Sequence, residues 1–282
     1  VTSTAQNPST TNPTREHAHD DTGGCGCGAG GCGGVCGPSP ASVDQQVAPS
    51  EPVDVHVYAD IVCPWCYIGK RRLDTAVRAF AERGGQVRVR YMPFQLDPDA
   101  PLEACELMPT LVEKFGGEQQ ATQTTSHIAE IAATEGIEID FDGALAANTL
   151  AAHRLLRLAG DHDLRVQAEL MDRLMAAHFV DGLDVGADEV LQRLCDELGL
   201  KVDVEEYLSS EDGIAAVTEQ QDAARAAGIT SVPTYVFAAR WGISGAQEVS
   251  TLLMVLQQVA AQADAQPGAG GGGCCGGGCC GG

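Results

Sequence analysis

The chain has 282 residues, with 17 Lys and Arg against 39 Asp and Glu, a formal charge of −22. So acidic a surface repels phosphate backbones and anionic bilayers, and neither nucleic acid nor membrane is an expected partner. No apolar run approaches the roughly 18 residues that span a bilayer. The first 30 residues are polar, without an apolar stretch of signal-peptide type, so the cytoplasm is the expected compartment, where paired cysteines tend to be catalytic, redox-sensing or metal-binding.

Cysteine and glycine are unevenly spread. Residues 1–50 and 264–282 hold eight of the 12 cysteines and 19 of the 34 glycines. Residues 1–22 are polar and read as disordered. Residues 23–37 set Cys25, Cys27, Cys32 and Cys36 among glycines, and 38–52 form a linker with Pro38, Pro40, Pro49 and Pro52. At the other end, 264–282 is a second disordered Gly/Cys-rich tail with Cys274, Cys275, Cys279 and Cys280. The remaining residues carry −18 and suffice for one domain with an insertion and a sizeable core.

Val53-Asp54-Val55-His56-Val57-Tyr58 alternates apolar and polar residues, as a strand does. A helical pattern starts near Tyr67, continues through Leu73, Ala76, Val77 and Phe80, and ends at Gly84-Gly85. Val87, Val89 and Tyr91 alternate again, and Pro93 stops them. Strand, helix, strand implies a parallel pair joined by a right-handed crossover. Residues 102–210 are almost wholly helical in pattern, with stripes at Leu107, Leu111 and Phe115, at Ile128, Ile131 and Ala132, and at Leu170, Leu174, Met175 and Phe179. Leu145 to Leu158 reads as one long Ala- and Leu-rich helix; Val190, Leu191, Leu194 and Leu198 mark a shorter one, and Glu205 to Leu208 a turn. Ile214 to Ala227 is helical and closes at Gly228. Tyr235-Val236-Phe237 and Trp241 to Ser244 then form an antiparallel hairpin, and a last helix runs from about Gln247 to Ala263. This order predicts an α/β protein: a thioredoxin fold whose halves, 53–101 and 213–263, flank a helical domain over 102–212.

Cys63-Pro64-Trp65-Cys66 falls between the first strand and the helix. Cys63 lies where a helix N-terminus presents unpaired N–H groups and partial positive charge, which favours a thiolate over a thiol. Cys66, one turn on, can reach Cys63 and close a small disulfide. A zinc site would need a second ligand pair at suitable spacing, and Cys105 and Cys195 stand alone on helical patterns, where each reads as a small buried apolar residue. Asp161-His162-Asp163 is a solvated turn at a helix end, and Asp181 to Glu189 lacks calcium-loop spacing. No metal site is expected in the core. Without a P-loop or dinucleotide glycine pattern, no cofactor is expected either. Gly228 to Phe237 sets Pro233 at the mouth of a strand. A cis Val232–Pro233 bond would leave the Val232 backbone free to pair with an extended substrate; a trans proline opening an edge strand is the alternative.

Cys63-Pro64-Trp65-Cys66-Tyr67-Ile68-Gly69 resembles the active-site turn of the DsbA-like superfamily, and in particular its FrnE-type branch, related to 2-hydroxychromene-2-carboxylate isomerases and kappa-class glutathione transferases. Pro93-Phe94-Gln95-Leu96-Asp97-Pro98, Asn148-Thr149 with Ala152-His153-Arg154, Ser231-Val232-Pro233-Thr234 and Ile243-Ser244-Gly245-Ala246-Gln247 carry the same resemblance. It implies a cis peptide at Val232–Pro233 facing Cys63, with Phe94, Asn148 and His153 near the dithiol and Pro64 and Trp65 shaping the turn. The isomerase and transferase branches typically carry Ser at the first cysteine position, so Cys63 favours dithiol exchange over glutathione-dependent isomerisation. The expected activity is protein thiol–disulfide exchange, with Cys63 attacked or attacking through an exposed sulfur and Cys66 resolving. Its partners are protein or small thiol and disulfide substrates, glutathione among the candidates. A glutathione-dependent isomerase or transferase on the same fold, and metal or thiol buffering through the Cys-rich tails, are the alternatives.

Overall fold

The computed structural model describes residues 51–264. The expected tails, with Cys25, Cys27, Cys32, Cys36, Cys274, Cys275, Cys279 and Cys280, lie outside the described residues.

The first half is β1 (Val53–Ala59), α1 (Pro64–Ala81) and β2 (Val87–Pro93). Val53, Val55, Val57 and Ala59 are all buried, as the alternation requires. β1 and β2 run parallel with Val57 opposite Tyr91. Between β2 and the second half come β3 (Cys105–Glu106), α2 (Leu107–Phe115), α3 (Glu118–Thr134), β4 (Leu145–Ala146), α4 (Leu150–His162), α5 (Leu164–Phe179), α6 (Asp188–Glu197) and α7 (Val204–Ser209). The second half is α8 (Ile214–Ala226), β5 (Thr234–Phe237), β6 (Trp241–Ser244) and α9 (Val249–Asp264). β5 is antiparallel to both β1 and β6, which gives a four-stranded sheet ordered β2-β1-β5-β6. The fold is a thioredoxin fold with helices inserted between its βαβ and ββα halves.

Three local expectations are corrected. Leu145 to Leu158 is not one helix. Leu145 and Ala146 pair antiparallel with Glu106 and Cys105, Asn148 Oδ1 accepts from the Leu150 backbone N–H at 3.0 Å, and α4 starts only there. Cys105 is consequently an exposed strand residue, whereas Cys195 is fully buried on α6. The first helix begins at Pro64, three residues before the expected Tyr67, because a proline at N1 sacrifices no intrahelical bond.

The inserted helices are fastened to the sheet by side chains that mimic backbone. β2 is an edge strand, and an uncovered edge leaves N–H and C=O groups unpaired. The buried Gln167 of α5 meets both at Tyr91: its Oε1 accepts from Tyr91 N at 2.9 Å and its Nε2 donates to Tyr91 O at 2.9 Å. Arg154 of α4 donates to the carbonyls of Tyr207, Leu208, Ser210 and Asp212, satisfying the C-terminal end of α7.

Gly69 shows how closely α1 lies on the second half. A Cβ there would collide with Tyr235 Oη and meet Pro233 Cγ at 3.0 Å. Inside a helix, Gly→Ala ordinarily gains about 1 kcal/mol. Here the rigid phenol and the proline ring oppose it, and overpacking costs about 1–3 kcal/mol. Gly69→Ala is therefore expected to lower unfolding free energy by about 1–2 kcal/mol in a urea titration.

Candidate active site

Cys63 is the N-cap of α1, with φ −96° and ψ 111°, and its side chain makes no capping hydrogen bond. Its carbonyl accepts from Cys66 N at 3.0 Å and Tyr67 N at 3.2 Å, which starts the helix and leaves the sulfur at the positive end of the helix dipole. Cys66 stands one turn on. Its sulfur is within hydrogen-bonding reach of Cys63, and both cysteines are unbonded thiols. Burial pushes the Cys66 thiol well above its ordinary value of 9.0, and the neighbouring Cys63 sulfur and the charge of Asp60 push the same way.

The Val232–Pro233 peptide is cis, and the Cys63 thiol points at the Val232 carbonyl with Sγ···O at 3.9 Å. The exposed sulfur expected at Cys63 is corrected: Cys63 is only 4% exposed and Cys66 2%, because the Val232 loop covers the N-cap of α1. Of the two, Cys63 faces the loop that leads to β5, and Trp65 stands half-buried beside it.

Asp60 is a buried carboxyl in the β1–α1 turn that sequence reasoning missed. Its Oδ1 accepts from Ile61 N at 2.8 Å and its Oδ2 from Leu96 N at 2.7 Å; His153 of α4, also buried, brings Nε2 to 3.2 Å from Oδ1. Asp60 thus ties the redox turn, the loop after β2 and the inserted helices together, three residues before Cys63. The structure accordingly brings Cys63, Pro64, Trp65, Cys66, Val232 and Pro233 together and joins His153 to them through Asp60. Phe94 and Asn148 have other partners. Phe94 is buried under the Arg225 guanidinium, 5.2 Å from its ring centre. Asn148 Nδ2 donates to Ala100 O at 2.8 Å and holds the loop after β2.

A second buried imidazole, His178 of α5, has no partner for either ring nitrogen among the described residues, and burial depresses its pKa from 6.5 to about 4, against a smaller opposing pull from Asp60. The remaining signal in the sequence for Asp60 and His178 is faint: each is a single polar residue inside an apolar stretch, Ala59-Asp60-Ile61-Val62 and Ala176-Ala177-His178-Phe179.

Among the described residues, no group of three or more His, Cys, Asp or Glu side chains is placed to hold a metal ion, and no helix is long and apolar enough to cross a membrane.

The chain is similar to known proteins. A solved structure of a probable DsbA oxidoreductase from Streptomyces coelicolor is 30% identical, with 74% of this chain and 91% of that one covered and a TM-score of 0.67. The uncharacterized protein YwbO of Bacillus subtilis is 28% identical over 193 residues, 65% of this chain and 86% of its own. A 2-hydroxychromene-2-carboxylate isomerase structure shares the fold at 16% identity and a TM-score of 0.56, covering 76% of this chain and 100% of that one. The family model for the DSBA-like thioredoxin domain matches residues 54–257, from the second residue of β1 well into α9, and spans the dithiol, the inserted helices and the proline loop. On that match the chain belongs to the DsbA-like thioredoxin family.

Proposed function

We propose that the chain is a protein thiol–disulfide oxidoreductase or isomerase that works through Cys63 and Cys66. The observation that carries the reading is the pairing of a thiol at the N-cap of α1 with a second thiol one turn on, under the Val232 carbonyl. In the oxidising direction, a substrate thiolate attacks Cys63 Sγ of the enzyme disulfide. The Cys63–Cys66 bond breaks, Cys66 departs and takes up a proton, and a mixed disulfide remains. A second substrate thiolate then attacks the substrate sulfur and releases Cys63; the substrate loses two electrons and the enzyme gains them. In the reducing direction, the Cys63 thiolate attacks a substrate disulfide and Cys66 resolves the adduct. The raised pKa of Cys66 divides the labour: Cys66 is a thiol at neutral pH and acts only once a mixed disulfide has formed.

Substrates in this reading are protein or small disulfides and thiols, with glutathione a candidate reductant, and a cytoplasmic setting belongs to the same proposal. Cysteine rather than serine at position 63 speaks against the glutathione-dependent isomerase or transferase.

The test is a redox titration of the intact chain against thiol buffers, with the Cys63–Cys66 disulfide followed by alkylation and peptide mapping. A single two-electron transition of that pair is expected, with Cys63 the member alkylated at neutral pH. No transition, or preferential alkylation of Cys66, would sink the reading. One variant adds a sharper check. Because the charge of Asp60 helps hold Cys66 protonated, Asp60→Asn is expected to move Cys66 ionisation to lower pH, read by ultraviolet thiolate absorbance in a Cys63→Ser background.

A further inference from the structure

An open groove of about 480 Å³ begins at Trp65, inside the redox turn, and runs between α1, α3 and the start of α9. Trp65 and Arg72 form one wall, seven residues apart on α1. His127, Glu130 and Ile131 of α3 form the other, and Glu248 closes the end. The groove shares Trp65 with the redox turn, and its Arg72 donates to Ala246 O next to Gly245, whose N–H donates to Pro233 O at 2.7 Å, so its far wall is tied to the proline loop. A polypeptide whose sulfur reaches Cys63 beneath Val232 therefore passes its neighbouring residues along Trp65 and toward Glu248.

Charge decides what those residues can be. Among the described residues the one Lys or Arg lining the groove, Arg72, has a side chain only 10% exposed, paired with Glu135 at 2.6 Å and Glu248 at 2.7 Å and donating to Ala246 O at 2.9 Å. Two carboxylates on one guanidinium leave that trio at −1. Glu130 is exposed on the facing helix and makes no ion pair among the described residues, so the groove is net negative and has the Trp65 indole in its lining. Negative charge and an aromatic face together favour an ammonium or guanidinium group. An acidic peptide would meet like charge there.

Resting on the thiol–disulfide reading above, we propose that this groove selects substrates carrying Lys or Arg close to the reacting cysteine. Because the carboxylates are exposed, the preference is modest and salt-sensitive, about 3- to 10-fold at low ionic strength.

The experiment uses the full chain and three short synthetic peptide disulfides that are identical except for Lys, Gln or Glu next to the cysteine, with kcat/KM for reduction measured under a thiol reductant at low and high salt. The expected order is Lys over Gln over Glu, compressed by salt, with the spread reduced in Glu130→Gln. Equal rates, or a preference for Glu, would overturn the groove assignment while leaving the redox reading in place. A Lys preference unchanged in Glu130→Gln would also overturn it, because the discriminating charge would then lie elsewhere. Failure of the wild-type chain to exchange any of the three would remove the thiol–disulfide reading, and this inference with it.

Discussion

Cys63→Ser is expected to lower disulfide exchange by on the order of a thousandfold or more, to the rate of the uncatalysed thiol buffer. A serine hydroxyl does not ionise near neutral pH and cannot carry the mixed disulfide. Among the described residues no neighbouring thiol can substitute, since Cys66 is buried and held protonated by that burial and by the Cys63 sulfur. The partner variant should fail differently. Cys66→Ser keeps the N-cap thiol and the Val232 carbonyl above it, so the first attack survives, but nothing one turn on can expel the substrate. It should accumulate as a covalent adduct with substrate, visible as an added mass that a small thiol removes. Single-turnover kinetics and intact-mass measurement separate the two outcomes. A Cys63→Ser protein with full reductase and isomerase activity would show that the dithiol is not the reacting centre.

What the sequence showed, and what it hid, divides along local and long-range lines. The alternation from Val53 to Tyr58 placed β1 because burial on one sheet face is written residue by residue. The turn Cys63 to Cys66 could be read as chemistry because strand, proline and helix follow within a dozen residues. Leu145-Ala146 misled because Ala and Leu favour helices intrinsically, while the pairing with Cys105-Glu106, some 40 residues away, leaves no periodic trace. Asp60 was missed for the same reason: its partners, His153 and the Leu96 backbone, lie on other elements, and only the tertiary fold makes one carboxyl a junction. For Phe94 and Asn148, placed near the dithiol by resemblance, the contacts are likewise long-range: Phe94 packs under Arg225, and Asn148 holds the loop after β2.

His178 carries the second large expectation, acid destabilisation through one buried imidazole. Its ring lies edge-on to Phe179, with centroids 4.4 Å apart, and neither nitrogen has a partner among the described residues, so the neutral form is strongly preferred in the fold. Folded, it titrates at about 4; unfolded, at its ordinary 6.5. Between those values the unfolded chain binds a proton that the folded one refuses, so stability is full above pH 6.5 and falls as pH drops toward 4, by about 3 kcal/mol in all. The carboxylates add acid sensitivity of their own, and His178→Leu isolates the histidine. Replacing a buried imidazole without hydrogen bonds by an apolar group of similar size is close to neutral at pH 7. The variant should therefore match the wild type at pH 7 and exceed it by about 3 kcal/mol near pH 4, as read from urea unfolding at each pH. Parallel stability curves for the two proteins from pH 7 to pH 4 would mean that the imidazole accepts a proton without opening the core.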